Sequence, residues 1–563
     1  MSNLAAPSAP AAAPATDEIC DVLVVGSGSA GLVAALCTAA AGLSTLVVER
    51  AQEVGGTTAI SAAGTWIPAN HHAAAAGLTD SPEAAFAYIR NVAPESWRDS
   101  EEALWQRFVR EAPQMLAFLE RTTPLRFALT NQPDAYPDVS GGVIRGRMLS
   151  PRVLRKRLAG PLARRLRRPT LPHVFTYQEA LSLDPHHHPL RAGLLALPRL
   201  VWRWLIGARG MGTALVVGLL KGCLDHGCRF ELGARAVAPI LIDGSVHGLF
   251  VEQHGRIRGI YARRGVVLAS GGFEWDAERL DRHFPGPRDF VASPPGNDGD
   301  AHRIASAAGA RLAHMDQANI TAGMPFRAGA HPFGISHSFH QEANAIAVDR
   351  NGRRFVNEYR FNIGEVLDTR DPATGLPLHL PAWIISDADF LRRSPIVRRI
   401  AARNPGWMVK APTLAELAAL IDVPDAALLA TVERFNGFCA SQVDADFHRE
   451  RVGARAISIG GRRTQRLQAI TRPPFIAMPF NRTVVSTKGG PRTDAAGRVL
   501  RPDGSVIDGL YCAGVAMANP IGTWAVGAGT TIGPNMTWGY VCGQSLLAAP
   551  DRADPGRREG RAG

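Results

Sequence analysis

The sequence predicts an α/β fold built on a parallel sheet, and three observations near its start carry that prediction. The run Asp21-Val22-Leu23-Val24-Val25 is apolar and mostly β-branched, the pattern of a strand buried on both faces. It runs into Gly26-Ser27-Gly28-Ser29-Ala30-Gly31, and a helix follows over 32–41 in Ala and Leu, good helix formers, ended by Gly42. A second buried strand, Thr45-Leu46-Val47-Val48, ends on Glu49, about 20 residues past the glycines. Strand, glycines, helix, strand and acid in this order make a Rossmann-type dinucleotide-binding unit.

Each part of that unit has a physical task. Gly28 lets the backbone approach a pyrophosphate, and Gly31 lets the helix sit tight against the strand. The helix N-terminus turns partial positive charge toward the phosphates. Glu49 is placed to accept hydrogen bonds from a ribose hydroxyl pair; an acid here favours an unphosphorylated ribose, which leaves FAD or NAD. The candidate contacts are Gly26, Ser27, Gly28, Ser29, Ala30, Gly31, Glu49 and Arg50. A second Gly-rich stretch, Val54-Gly55-Gly56-Thr57-Thr58-Ala59, followed by Gly64-Thr65-Trp66-Ile67-Pro68, favours flavin, whose long diphosphate and ring require close backbone approach further along the chain. It adds Gly55, Gly56, Thr57, Thr58, Ser61, Ala63 and Gly64.

Bulk properties set the outer limits. A chain of 563 residues exceeds one core, so two or more domains are expected. Hydrophobic content of 46% and charged content of 20% are those of a soluble globular enzyme. Seven scattered cysteines without a CxxC pair argue against a zinc or iron–sulfur site and fit a reducing, cytoplasmic compartment; no metal set is expected. Ala, Pro and Ser before Asp17, and Gly and Arg after Pro550, read as disordered tails over 1–17 and 550–563. No apolar run reaches the roughly 18 residues that a membrane span needs.

Along the chain, Ser81-Pro82-Glu83 opens a helical region that runs to about Phe118. A loop follows, Asp134-Ala135-Tyr136-Pro137-Asp138-Val139-Ser140-Gly141-Gly142, ending in Gly146-Arg147. Residues 145–209 are the most basic part of the chain, with Trp and Leu interleaved near 194–206. Two readings stand: a solvated basic face with an active-site lid, or a segment resting on an anionic membrane surface, where an apolar substrate or quinone is found. Nucleic acid is not expected, because no recognised module accompanies the net charge of +12. His186-His187-His188, between prolines, reads as a surface loop.

A helix is expected over 211–224 and a strand over 229–232, then short strands at 236–240, 248–251 and 259–262 as a β-meander. Gly265-Val266-Val267-Leu268-Ala269-Ser270-Gly271-Gly272 returns the chain to the main sheet and adds Val237, Ala269, Ser270 and Gly271 to the cofactor contacts. Residues 294–473 form a different region, with a helix from 300 to near Gly309, a strand at 345–349, and a turn and short strand at 353–358. A strand over 507–514 precedes Gly522–Pro534, whose glycines lead into a last helix ending near Leu547. A Gly-rich turn at a helix N-terminus suits the electron-rich edge of a reduced flavin, giving Gly514, Gly529, Thr531 and Ile532.

Taken together, the 54–59 and 64–68 blocks, the Tyr-Pro loop, Gly352-Arg353-Arg354-Phe355-Val356-Asn357-Glu358, Gly489-Gly490-Pro491-Arg492-Thr493-Asp494 and the last Gly-rich block resemble the fumarate reductase flavoprotein superfamily, and within it the 3-ketosteroid dehydrogenase group. The resemblance implies FAD as cofactor. It implies an FAD-binding domain, parallel sheet plus β-meander, in two parts (18–290, carrying the basic lid-like insertion, and 479–549), with an α+β capping/catalytic domain inserted over 291–478. It implies a dehydrogenase that places a C=C bond beside the ketone of a cyclic apolar substrate, a 3-ketosteroid or smaller, with a tyrosine-type base and hydride passing to flavin N5. The electron acceptor, a quinone or soluble carrier, is left open.

Carried onto this sequence, Tyr136 stands where a tyrosine supports the base, and Gly529 where a glycine N–H polarises the ketone. The pattern departs at two positions. Ungapped matching puts Ala525 at the ketone-binding tyrosine and Asn362 at the base, with Tyr359 one turn earlier. The catalytic candidates are therefore Tyr136, Tyr359 and Gly529, with Tyr177 a further one. The rival reading is a fumarate reductase-like enzyme reducing an unsaturated acid or enone. It needs Arg and His around 514–529, where the sequence has neither, although Arg354 and Arg360 remain as proton donors. A non-enzymatic flavin ligand role is a third reading, separable by flavin reduction with a substrate.

Overall fold

The computed structural model describes residues 18–185, 187–326, 333–453 and 466–552, so the expected tail 1–17, most of the tail 550–563 and His186 lie outside the described residues. The central strand β1 (Glu18–Val25) pairs in parallel with β2 (Thr45–Glu49) on one side and β3 (Arg256–Leu268) on the other. The strand Arg229–Leu232 extends the sheet beyond β2, and β4 (Val506–Cys512) extends it beyond β3, both in parallel. The meander forms as expected: Ala234–Ile242, Ser245–Gln253 and the first half of β3 pair antiparallel in turn. The sequence suggested two strands at 259–268, but β3 is one strand of 13 residues. Gly265, at φ +153°, bends it opposite a register shift in β1 instead of ending it.

Four helices position the site. α1 (Ser29–Ala40) starts at the glycine turn and is buried along its length but for its final alanine. In the basic insertion lie α2 (Tyr177–Leu183), closed by a Thr176/Glu179 capping box, and α3 (Pro189–Leu205). α4 (Ile532–Ala548) packs directly on α1; a Cβ at Gly539 would lie 2.2 Å from the Ala30 carbonyl oxygen, so only glycine allows that approach. No helix among the described residues is long and apolar enough to cross a membrane.

The inserted region has its own four-stranded sheet, ordered Ile346–Asp349, Ala382–Ser386, Phe475–Pro479, Val409–Ala411. Its faces alternate between two apolar cores. Ala347 and Ile384 face one; Ile346, Val348 and Ile385 face the other. The short strand expected at 353–358 does not form beyond a single bridge from Arg354 to Val348. Arg354 is drawn aside into paired bonds with Glu358 (2.8 Å) and Asp444 (2.9 Å). The helix Asp300–Ala307, expected within the capping region, places Ala301, Ile304 and Ala305 in the core of the main sheet. The strands Ala318–Thr321 and Thr483–Thr487 pair antiparallel close to the points where the chain enters and leaves the inserted region.

Candidate active site

A cavity of about 360 Å³ lies where β1, β2, β3 and β4 end, the carboxyl edge at which open α/β sheets bind ligands. Gly26, Ser27, Gly28, Ser29 and Ala30 line it from the first turn, and Glu49 and Arg50 from the end of β2. Gly56, Thr57 and Thr58, with Ala269, Ser270, Gly271 and Gly514, complete the expected contacts on its wall. A second cavity of about 220 Å³ is lined by Ser61, Ala63, Gly64, Gly529, Thr531 and Ile532. Thr57, Thr58, Val515 and Asn535 line both, so the two form one cleft.

Three expected contacts do not line it. Gly31 faces the turn: a Cβ there would lie 2.0 Å from the Gly26 carbonyl oxygen. Gly55 caps the short helix Gly56–Ile60 and donates its N–H to Ser27 Oγ at 2.9 Å. Val237 is the extra residue of a bulge between Ala236 and Ala238; Ala234 and Ala236 line the cavity in its place.

The nucleotide end is held by backbone and short side chains. Ser27 donates its N–H (3.0 Å) and hydroxyl (2.6 Å) to Glu49 Oε2, and Ala51 N–H reaches Glu49 Oε1 at 2.9 Å. Thr58 Oγ1 accepts from Ser29 N–H at 3.1 Å. Ser27 and Thr58 thus hook the second glycine loop onto the first. The first turn of α1 has no side-chain cap at Gly28, which leaves backbone N–H groups for a ligand. Arg50 is tied at the rim to Asp298, Asp300 and the Gly296 carbonyl.

Sequence reasoning missed several lining residues. Asn297 donates to Thr57 Oγ1 (3.2 Å) and to buried Glu274 (3.1 Å), whose carboxyl is pushed up to about 7 by burial. Arg167, from the basic insertion, also lines the nucleotide end. Asn535 follows the last Gly-rich block with no motif to mark it. Its Oδ1, and Ser486 Oγ, are buried in the cleft wall without a hydrogen-bond partner among the described residues. Unpartnered polar atoms along a glycine cradle fit an elongated ligand with both phosphates and a heteroaromatic ring.

Three distant segments meet beside the last Gly-rich loop, although Tyr136, Asn362 and Ala525 line neither cavity. The Tyr88 hydroxyl donates to the Val526 carbonyl (2.7 Å) and accepts from Tyr136 N–H (3.1 Å). Asn362 Nδ2 donates to the Ala525 carbonyl at 3.3 Å, and Ala135 N–H to the Val526 carbonyl at 3.4 Å. The Tyr-Pro loop, the capping region and the last Gly-rich loop therefore converge on Ala525 and Val526. Asp134 fixes the Tyr-Pro loop, accepting from Trp66 Nε1 (2.7 Å), Val143 N–H (3.1 Å) and Arg147 (2.8 Å). Buried Lys488 donates to the carbonyls of Ile521 (2.9 Å) and Gly522 (2.8 Å), and burial pulls its ammonium down to about 7.

The remaining candidates fall elsewhere. Tyr359 is buried inside the capping region, its ring 4.1 Å from the Arg449 guanidinium carbon, and lines neither cavity. Tyr177 lines the second cavity and donates to Gln132 Oε1 at 2.5 Å; burial pushes its hydroxyl up. Burial also pushes Tyr136 up, with Glu365 adding to it and Arg360 and Asn362 opposing. The expected surface loop at 186–188 is corrected at His187, which is buried between Asp184 (2.8 Å) and Glu342 (2.6 Å). No metal set was expected, yet His71, His72 and Glu120 bring three potential ligand atoms within 4.8 Å of one another.

A parallel sheet whose carboxyl edge carries a glycine-cradled cleft defines an α/β flavin-binding protein. Residues 21–532 match the family model described as FAD binding domain, and the chain belongs to that family. It is an FAD-dependent oxidoreductase acting on CH–CH groups, related to the ketosteroid dehydrogenases as the sequence motifs implied. It is similar to a 4-oxocyclohexanecarboxylate 2-dehydrogenase of Sinomonas cyclohexanicum, at 34% identity over 95% of this chain and 94% of the relative. It is equally similar to a 3-oxosteroid 1-dehydrogenase of Mycobacterium tuberculosis, at 34% over 92% and 97%. Among solved structures, the 3-ketosteroid Δ1-dehydrogenase of Sterolibacterium denitrificans, in complex with 1,4-androstadiene-3,17-dione, superposes with a TM-score of 0.83 at 28% identity, covering 94% of this chain and all of that one.

Proposed function

We propose that this enzyme introduces a C=C bond beside the ketone of a neutral, cyclic, apolar substrate, a 3-ketosteroid or a smaller ring. The observation that carries this reading is the wall of the second cavity: among the described residues lining it, none is charged. A carboxylate substrate needs a guanidinium or imidazole at that wall. Arg354 is buried against Glu358 and Asp444, and Arg360 is paired with Glu365 at 2.7 Å, so neither is offered to a substrate acid. The relative named for 3-oxosteroid oxidation supports the neutral class, while the one named for 4-oxocyclohexanecarboxylate supports the cyclic ketone but carries a carboxylate.

FAD held in the cleft supplies the hydride acceptor. Gly26 to Ala30 and Gly56 to Thr58 would hold its diphosphate, Glu49 its ribose, and the residues of the second cavity, among them Ser61, Gly64, Gly529 and Ile532, its ring. Tyr136, in the Tyr-Pro loop anchored through Tyr88 and Asp134, takes the proton from the carbon beside the ketone. The Gly529 N–H polarises the ketone oxygen. The apolar cavity wall and the capping region exclude water from the forming enolate. Anaerobic mixing with 3-ketosteroids, cyclohexanone-type ketones and dicarboxylates, following flavin absorbance, tests the proposal. Bleaching by a neutral cyclic ketone is expected; bleaching by succinate-like acids alone would overturn it.

A further inference from the structure

We infer that α3 is a docking helix for an anionic phospholipid surface. Its amphipathicity is inverted. The inward face carries Ala192, Ala196 and Arg203, and Arg203 is held against α2 by Glu179 (2.7 Å) and the Val174 carbonyl (2.8 Å). The outward face, at spacings of four, three, four and three, carries Leu190, Leu194, Leu197, Val201 and Trp204, a single helical stripe. Leu190, Trp204 and Leu194 are 83%, 74% and 72% exposed. Eight of the eighteen strongly exposed large apolar side chains among the described residues sit on this one helix. Soluble surfaces scatter such residues singly; a contiguous stripe marks an interface.

Charge identifies the occupant. The end of α3 runs into Ala208–Arg209, which pairs with Leu154–Arg155, so the stripe adjoins the basic stretch. Arg155, Arg157, Arg164, Arg165 and Arg168 are exposed there, and none has a carboxylate partner among the described residues. A bilayer with acidic headgroups satisfies both features: acyl chains accept Leu and Trp, and phosphates accept guanidinium groups. A second copy of the chain would bring these arginines against like charges. The position of the helix gives the docking a purpose. α2, joined to α3 by a short turn, carries Tyr177 into the wall of the second cavity, so docking sets the ring end of the cleft beside the lipid phase in which apolar ketones dissolve.

The test uses the full FAD-loaded chain and vesicles of phosphatidylcholine, alone or with about one-third phosphatidylglycerol. Cosedimentation should favour the anionic vesicles by about tenfold or more and weaken at high salt, with a blue shift of tryptophan emission on binding. Leu194→Ser with Trp204→Ser should lower binding by about tenfold or more, with flavin content and melting temperature unchanged. Arg164→Ser with Arg165→Ser should erase the preference for anionic lipid. Equal sedimentation of the parent and the Leu194/Trp204 variant, or no binding to either vesicle, would overturn the inference. So would concentration-dependent dimerisation that the same variant abolishes in the absence of vesicle binding.

Discussion

The two ends of the cleft are built by different means. The nucleotide end is made largely of consecutive residues, Gly26 to Ala30 and Gly56 to Thr58, whose backbone does the holding. The ring end is assembled from segments hundreds of residues apart: Gly64, Tyr177, Ser486 and Gly529 line it together. A backbone cradle survives side-chain drift, whereas a side-chain constellation can be rewritten one residue at a time.

The comparison can be broken at its nucleotide end first. Gly26 sits at φ +102°, and a Cβ there would lie 2.5 Å from the Ala269 carbonyl oxygen. Gly26→Val should therefore yield protein with essentially no bound flavin, read as the ratio of flavin to protein absorbance; a yellow, fully loaded variant would break the backbone-cradle account. At the ring end, Tyr136→Phe should leave flavin content intact and slow reduction by about a hundredfold or more. Because burial raises the Tyr136 hydroxyl above its usual 10, and the base acts deprotonated, the parent rate should go on climbing past pH 10 without levelling. A plateau between pH 7 and 9 would remove Tyr136 as the base.

A smaller effect sharpens the contrast. Glu49→Ala removes the acceptor that Ser27 and Ala51 share, and should weaken FAD by about tenfold, since a charge-assisted hydrogen bond contributes about 1.5–3 kcal/mol and water recovers part of it. Titration of apoprotein with FAD measures it. The smallest effect lies in the latch between the basic insertion and the capping region. Burial pulls His187 down, but its bonds to Asp184 and Glu342 outweigh that and set it at about 9. A raised imidazole stabilises fully below about 6.5, its unfolded value, and the contribution is lost as pH rises through about 9. Melting temperature should fall over that window in the parent and fall less in His187→Gln, by about 1–2 °C; parallel curves would remove the latch.

Much of the fold was legible because its signals are local. Continuous Val and Leu runs mark buried parallel strands, and glycines that must adopt positive φ mark the turn between them. The misreadings have physical reasons. β3 looked like two strands because Gly265 bends a strand without ending it. Residues 353–358 looked extended, but only the bridge from Arg354 to Val348 forms, and Arg354 is committed to Glu358 and Asp444, the latter 90 residues away in sequence. His187 looked solvated because its partner Glu342 lies 155 residues away in sequence. Asn535 and Ser486 carried no local pattern; only folding brings them to the cleft. α3 was the subtlest, since an apolar helix reads the same whether its Leu face is buried, as in α4, or turned outward.

The close seating of α4 on α1 at Gly539 has a consequence for biosynthesis. The cleft wall includes Gly514, Val515 and Asn535, and the sheet gains β4 only after the whole capping region has been made. A nascent chain therefore carries the apolar flank of α1 uncovered while several hundred further residues are translated. Coenzyme loading is deferred to the last moments of synthesis, and truncation within the final helix would leave a coloured enzyme colourless.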